Sequence, residues 1–190
     1  MRMSKKGTQF LIAGIALVSM LLLSSRLTFA VTDENPDVTR LLTEAKEKAA
    51  VLSQDADQME AFTRSNVSWE SHATMLEDIK QHINDLGRVT EKLQSERNSA
   101  SPWQQQAIDR MLPLMRELAS NTTAAINHLK EHQTQPNTGS YPEYLKTNAE
   151  TAHKLSDMIA SFVEYRETRA KLAQLEQKLE IARRDRKSVV

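Results

Sequence analysis

The sequence predicts an all-α protein, an antiparallel up-down-up-down four-helix bundle whose fourth helix overhangs the other three. Three observations carry this. Beyond residue 30 the chain of 190 residues keeps two glycines, Gly87 and Gly139, too few for the tight turns of sheets or for loops that cradle phosphate. Apolar residues recur three and four apart in four successive stretches, the period of helices that bury one face. Short polar connections separate the stretches, which favours antiparallel neighbours.

The first helix is expected from Pro36 to about Phe62, with Val38, Leu42, Ala45, Ala49, Leu52, Ala56 and Met59 in an unbroken heptad repeat. The second, from Trp69 to about Arg97, repeats as Trp69, His72, Leu76, Ile79, Ile83, Leu86, Thr90 and Leu93, so His72 is expected to point inward. Gly87 beside Leu86 reads as a point of close helix approach or as a mild defect. Ser101-Pro102 is an N-cap followed by a proline at the first helical position. The third helix then buries Ile108, Met111, Met115, Leu118, Thr122, Ala125, Leu129 and His132, and bends at Pro113, where a backbone donor is lost. Residues 133–141 read as a polar loop, and Pro142 opens the fourth helix. Its stripe runs Leu145, Ala152, Leu155, Ile159 and Phe162, then shifts phase to Tyr165, Leu172, Leu175 and Leu179. Thr90, Thr122, Asn148 and Arg166 interrupt the stripes as register-fixing polar residues do.

The first thirty residues are an address. Arg2, Lys5 and Lys6 precede the uncharged run Phe10–Leu23, and Thr28-Phe29-Ala30 ends in a small residue that a signal peptidase accepts. The run is shorter than the ~20 residues of a spanning helix. The expected organisation is a signal peptide over residues 1–30 cleaved after Ala30, a bundle over 31–182 and a basic tail over 183–190. Export to the periplasm or the medium follows. Membrane contact is expected only through the signal peptide, if it stays uncleaved.

Four of the 25 basic residues lie in that segment, leaving 21 against 25 acidic, a net charge of −4. That balance disfavours nucleic acid, whose phosphates call for a basic surface. The charge is also uneven. Residues 164–190 hold eight basic and five acidic side chains, net +3, so residues 31–163 carry −7. There is no cysteine, which removes disulfides, thiol nucleophiles and Cys-ligated zinc or iron–sulfur centres.

The stretch HLKEH, residues 128–132, places two imidazoles one helical turn apart. In an antiparallel bundle His128 and His132, at the end of the third helix, meet His72 at the start of the second, with Asp57 and Glu60 near. These three histidines are the candidate metal ligands, for zinc, copper or nickel, since imidazole suits those ions. A structural site needs four ligands, and the sequence names three. A di-iron centre needs two Glu-x-x-His motifs, and only Glu150 and His153 form one. Met59 and His72 are the nearest pair for a haem. No G-x-S-x-G elbow is present for a hydrolase. Methionines 59, 111, 115 and 158 have the spacing of core filler. The sequence therefore favours a non-enzymatic exported protein without a cofactor, acting by contact with an envelope or extracellular protein or by self-association through the fourth helix. The alternative is a metal- or cofactor-binding bundle.

Overall fold

Asn35 starts the first helix, its side-chain oxygen accepting from the backbone N–H groups of Asp37 and Val38 at 2.9 and 3.2 Å. Proline follows at the first helical position, where a missing N–H costs nothing. A computed structural model describes residues 34–188 as four helices: α1 (Pro36–Ala61), α2 (Trp69–Ser95), α3 (Pro102–Glu131) and α4 (Tyr141–Ser188). Single 3-10 turns, Phe62–Arg64 and Arg97–Ser99, follow α1 and α2. The signal peptide read over residues 1–30 lies outside the described residues. Within them, no helix is long and apolar enough to cross a membrane.

The protein is an all-α bundle. Each of α1 and α3 packs on both α2 and α4, so the four helices form a ring around one core. One pole gathers the starts of α1 and α3, joined through Asn35 and Gln104. The other gathers the ends of α1 and α3 with the starts of α2 and α4 through Phe62, His72, His128 and Tyr141. All seven heptad residues of α1 are buried, as are His72 to Leu93 of the α2 series and Ile108 to Leu129 of the α3 series. Pro113 sits inside α3, which continues past it between buried Met111 and Met115.

Two expectations are corrected. Trp69, in the first turn of α2, is 37 % exposed rather than inward. His132 is exposed, because α3 ends at Glu131 and His132 leaves helical geometry at φ −128° and ψ 42°. Of the two readings of Gly87 the mild defect holds, since an added Cβ there would meet nothing within 4 Å. The helix α4 runs on through the basic end to Ser188. Residues 170–188 contain no glycine or proline to end the helix, and basic residues near its C-terminus complement the helix dipole.

At 1.5 Å per residue, the 48 residues of α4 span about 72 Å, against about 39–45 Å for the others. Arg166 and Arg169 reach Glu34, just before α1, at 3.4 and 3.8 Å. Those contacts mark where α4 leaves the bundle.

Candidate functional site

Tyr141 is the centre of the histidine pole. Thr138 to Tyr141 closes a turn that Gly139 enters at φ 55°, a left-handed conformation that side chains rarely adopt. The turn delivers Tyr141, fully buried, one step back along the core seam from Leu145. Its hydroxyl shares a 3.0 Å hydrogen bond with Nδ1 of His72, which is also fully buried. Phe62 meets His72 edge-on at 5.4 Å, and His128 stacks on Tyr141 at 5.2 Å. His132 in turn stacks on His128 at 4.2 Å and 13°.

The three predicted histidines are therefore brought to one pole, but as a column of rings with Tyr141 between His72 and His128. An ion held by two imidazoles lies near the plane of each ring, about 2 Å from each nitrogen. Nearly parallel stacked rings do not offer that point. His132 Nδ1 is instead 3.1 Å from the carbonyl oxygen of His128. Glu60 pairs with Arg64, and Asp57 faces His153. Among the described residues no group of three or more His, Cys, Asp or Glu could hold a metal ion. Nε2 of His72 and of His128 are nevertheless buried without hydrogen-bond partners. Excess zinc, copper or nickel is expected to leave the melting temperature unchanged. A saturable rise that His128→Ala removes would restore these histidines as ligands.

Burial sets the protonation of the pole. It lowers the pKa of His72 from 6.5 and raises that of Tyr141 above 10.0, because charge is costly away from water. Both groups stay neutral over a wide pH range. Below pH 6.5 the unfolded chain takes up a proton at His72 that the folded chain refuses, so stability falls as pH falls. Above pH 10 the unfolded chain loses the Tyr141 proton that the folded chain keeps, so stability falls again. The acid limb is checked by urea midpoints at pH 7.5 and 5.5, values that bracket the ordinary histidine range. Wild type is expected to lose more over that interval than His72→Phe, which has nothing to titrate there. Equal losses would remove His72 as the cause.

Two histidine–aspartate contacts escaped the sequence reading, and both tie α1 to a neighbour. His153 of α4 places Nε2 at 2.7 and 2.8 Å from the Asp57 carboxylate, and Nδ1 at 3.0 Å from Ser53 Oγ. These are the residue types of a hydrolase relay. However, Ser53 is buried in the middle of α1, where helical N–H groups are already engaged and none is left to stabilise an oxyanion. The trio works as a clamp between α1 and α4. On the other side, His82 Nδ1 of α2 lies 2.6 Å from Asp55 Oδ2. Neither atom has a hydrogen-bond partner, so the two side chains meet as a close contact only.

The second feature is on α4. Tyr165, Leu172, Leu175, Leu179 and Ile181 are each about half exposed. The stripe continues a groove of about 620 Å³ between α3 and α4, lined by Trp103, Arg110, Met158, Ser161, Phe162 and Tyr165 among others. Trp103 stacks on Phe162 at 6.5 Å and meets Tyr165 edge-on at 6.0 Å, while the Arg110 guanidinium lies 5.8 Å from the Phe162 ring centre.

Compared with known protein families, with curated proteins and with solved structures, the chain finds no match.

Proposed function

We propose that this is an exported, non-enzymatic helical protein of a bacterial envelope, periplasmic or secreted, that acts by protein contact through the overhang of α4. One observation carries the reading. Leu172, Leu175 and Leu179, each more than half exposed, form an apolar line on a helix that has left its bundle. Burying each leucine is worth roughly 2 kcal/mol, so the line is a strong site for a partner. The leader-like sequence over residues 1–30 supports export. Cysteine-free cores of this kind suit any compartment.

The experiment is affinity capture from envelope extract with residues 31–190 as bait, a span that carries the whole core from Val38 to Val163. The parallel bait carries Leu172→Ser, Leu175→Ser and Leu179→Ser. A protein retained by the first and lost by the second supports the reading, and equal retention by both ends it.

A further inference from the structure

We propose that the occupant of the α4 stripe is a second copy of this chain, with the two α4 helices paired antiparallel over residues 157–178. The proposal rests on the reading of α4 as a contact surface and names its partner.

The argument begins with spacing. Met158, Tyr165, Leu172 and Leu179 are seven residues apart, with Ser161, Thr168 and Leu175 between them. These are the a and d positions of one heptad series. The series starts inside the α3/α4 groove, whose lining includes Met158, Ser161 and Tyr165. It ends on the overhang. One face of α4 thus carries a groove at one end and leucines at the other, so an antiparallel copy sets each end against its complement.

Charge then selects the register. The g positions of the same series are Asp157, Glu164, Lys171 and Lys178, all exposed, in the order minus, minus, plus, plus. In antiparallel coiled coils g residues flank g residues of the opposite helix, and a two-fold axis repeats each contact. With Tyr165 opposite Thr168 of the second copy, Glu164 meets its Lys171 and Asp157 meets its Lys178. By symmetry each pair occurs twice. The same register lays Leu175 of one copy on Met158 of the other, and Leu172 beside Ser161. No like-charged g pair arises within the stretch. The larger charge pattern agrees, because each overhang, net +3 from residue 164 onward, lies along a body of net −7.

A parallel pair is less favourable. There g residues face e residues of the next heptad, so Glu164 meets Arg169 and Lys171 meets Glu176 with opposite sign, but Lys178 is set against Arg183 of the other copy, a like-charged contact that the antiparallel register avoids.

The test uses residues 31–190 and two charge-reversed forms, Asp157→Lys/Glu164→Lys and Lys171→Glu/Lys178→Glu. All four positions are exposed, and far-ultraviolet circular dichroism confirms that each form folds. In sedimentation equilibrium, wild type is expected to dimerise with rising concentration. Each reversed form alone carries one sign along the whole g line, and its dissociation constant is expected to rise roughly tenfold or more. An equimolar mixture is expected to regain dimers as heterodimers, because every g pair is then opposite in sign. Mixing does not rescue a parallel pair, because Glu164→Lys in one form then faces Arg169 of the other. Wild type that stays monomeric overturns self-pairing, and so does a dimer that charge reversal leaves unchanged or that mixing fails to restore. A monomeric result leaves the contact reading standing, and the capture experiment judges that separately.

Discussion

Tyr141→Ala is expected to destabilise the bundle by about 3–5 kcal/mol, the range for deleting a buried aromatic ring. The side chain is fully buried and touches both His72 and His128. Its removal opens a cavity at the pole and takes the partner from His72 Nδ1. Because Nε2 of His72 already lacks one, both ring nitrogens are then buried without hydrogen bonds. Tyr141→Phe separates the two effects. It keeps the ring and should cost about 1–2 kcal/mol, the penalty of one orphaned buried group. Urea unfolding measures both. A Tyr141→Ala loss below about 1 kcal/mol would mean that the pole does not close over this ring, since that is far under the range for buried aromatics.

At the opposite pole, Gln104→Leu is expected to cost about 2–4 kcal/mol although it preserves volume and adds apolar surface. Gln104 is fully buried. Its Oε1 accepts from the backbone N–H groups of Ser101 and Asn35 at 2.9 and 3.2 Å. Its Nε2 donates to the Asn35 carbonyl and to Thr39 Oγ1 at 2.9 and 3.0 Å. One amide thus ties the cap of α3 to the cap of α1. Leucine satisfies none of these groups, and each orphan costs roughly 1–3 kcal/mol where water cannot reach. A variant as stable as wild type would show that solvent replaces the amide, and that the pole is open.

The faces of the helices are legible in the sequence, and the errors fall at their ends. Periodicity identifies a buried stripe because it depends on residues within one helix. Extending the α3 stripe past Leu129 points His132 inward, but the helix stops one residue earlier and its cap turns away. Trp69 fails for the same reason in the first turn of α2. Pro142 suggests a start that leaves Tyr141 in a loop, yet Tyr141 lies four residues before Leu145 and so continues the stripe backward. Gln104 hides behind its polarity, although Ser101 three residues earlier is the spacing of a capping box. Its backbone half is present, through Ser101 N–H to Gln104, while Ser101 Oγ is buried without a partner. His153 with Asp57, and His82 with Asp55, cannot be found this way. Such contacts depend on the rotation and height of one helix against another, which the pattern within a single helix does not set. The candidate metal ligands do gather at the expected pole, but an unexpected tyrosine determines how they meet.

The length of α4 divides one helix into two thermodynamic regimes. Up to about Val163 its hydrogen bonds are shared with a packed core, so they open only when the bundle opens. The 19 residues from Ala170 to Ser188 run about 28 Å beyond it, with side chains exposed from Ala170 to Arg184. An isolated helix must first form a costly nucleus, and here the overhang persists by elongation from a nucleus the bundle supplies. Amide protection should therefore fall in a gradient toward Ser188 rather than in a single step. Any partner that lies along the overhang adds order to a segment already helical, so it gives up less entropy on binding than it would with an unfolded arm.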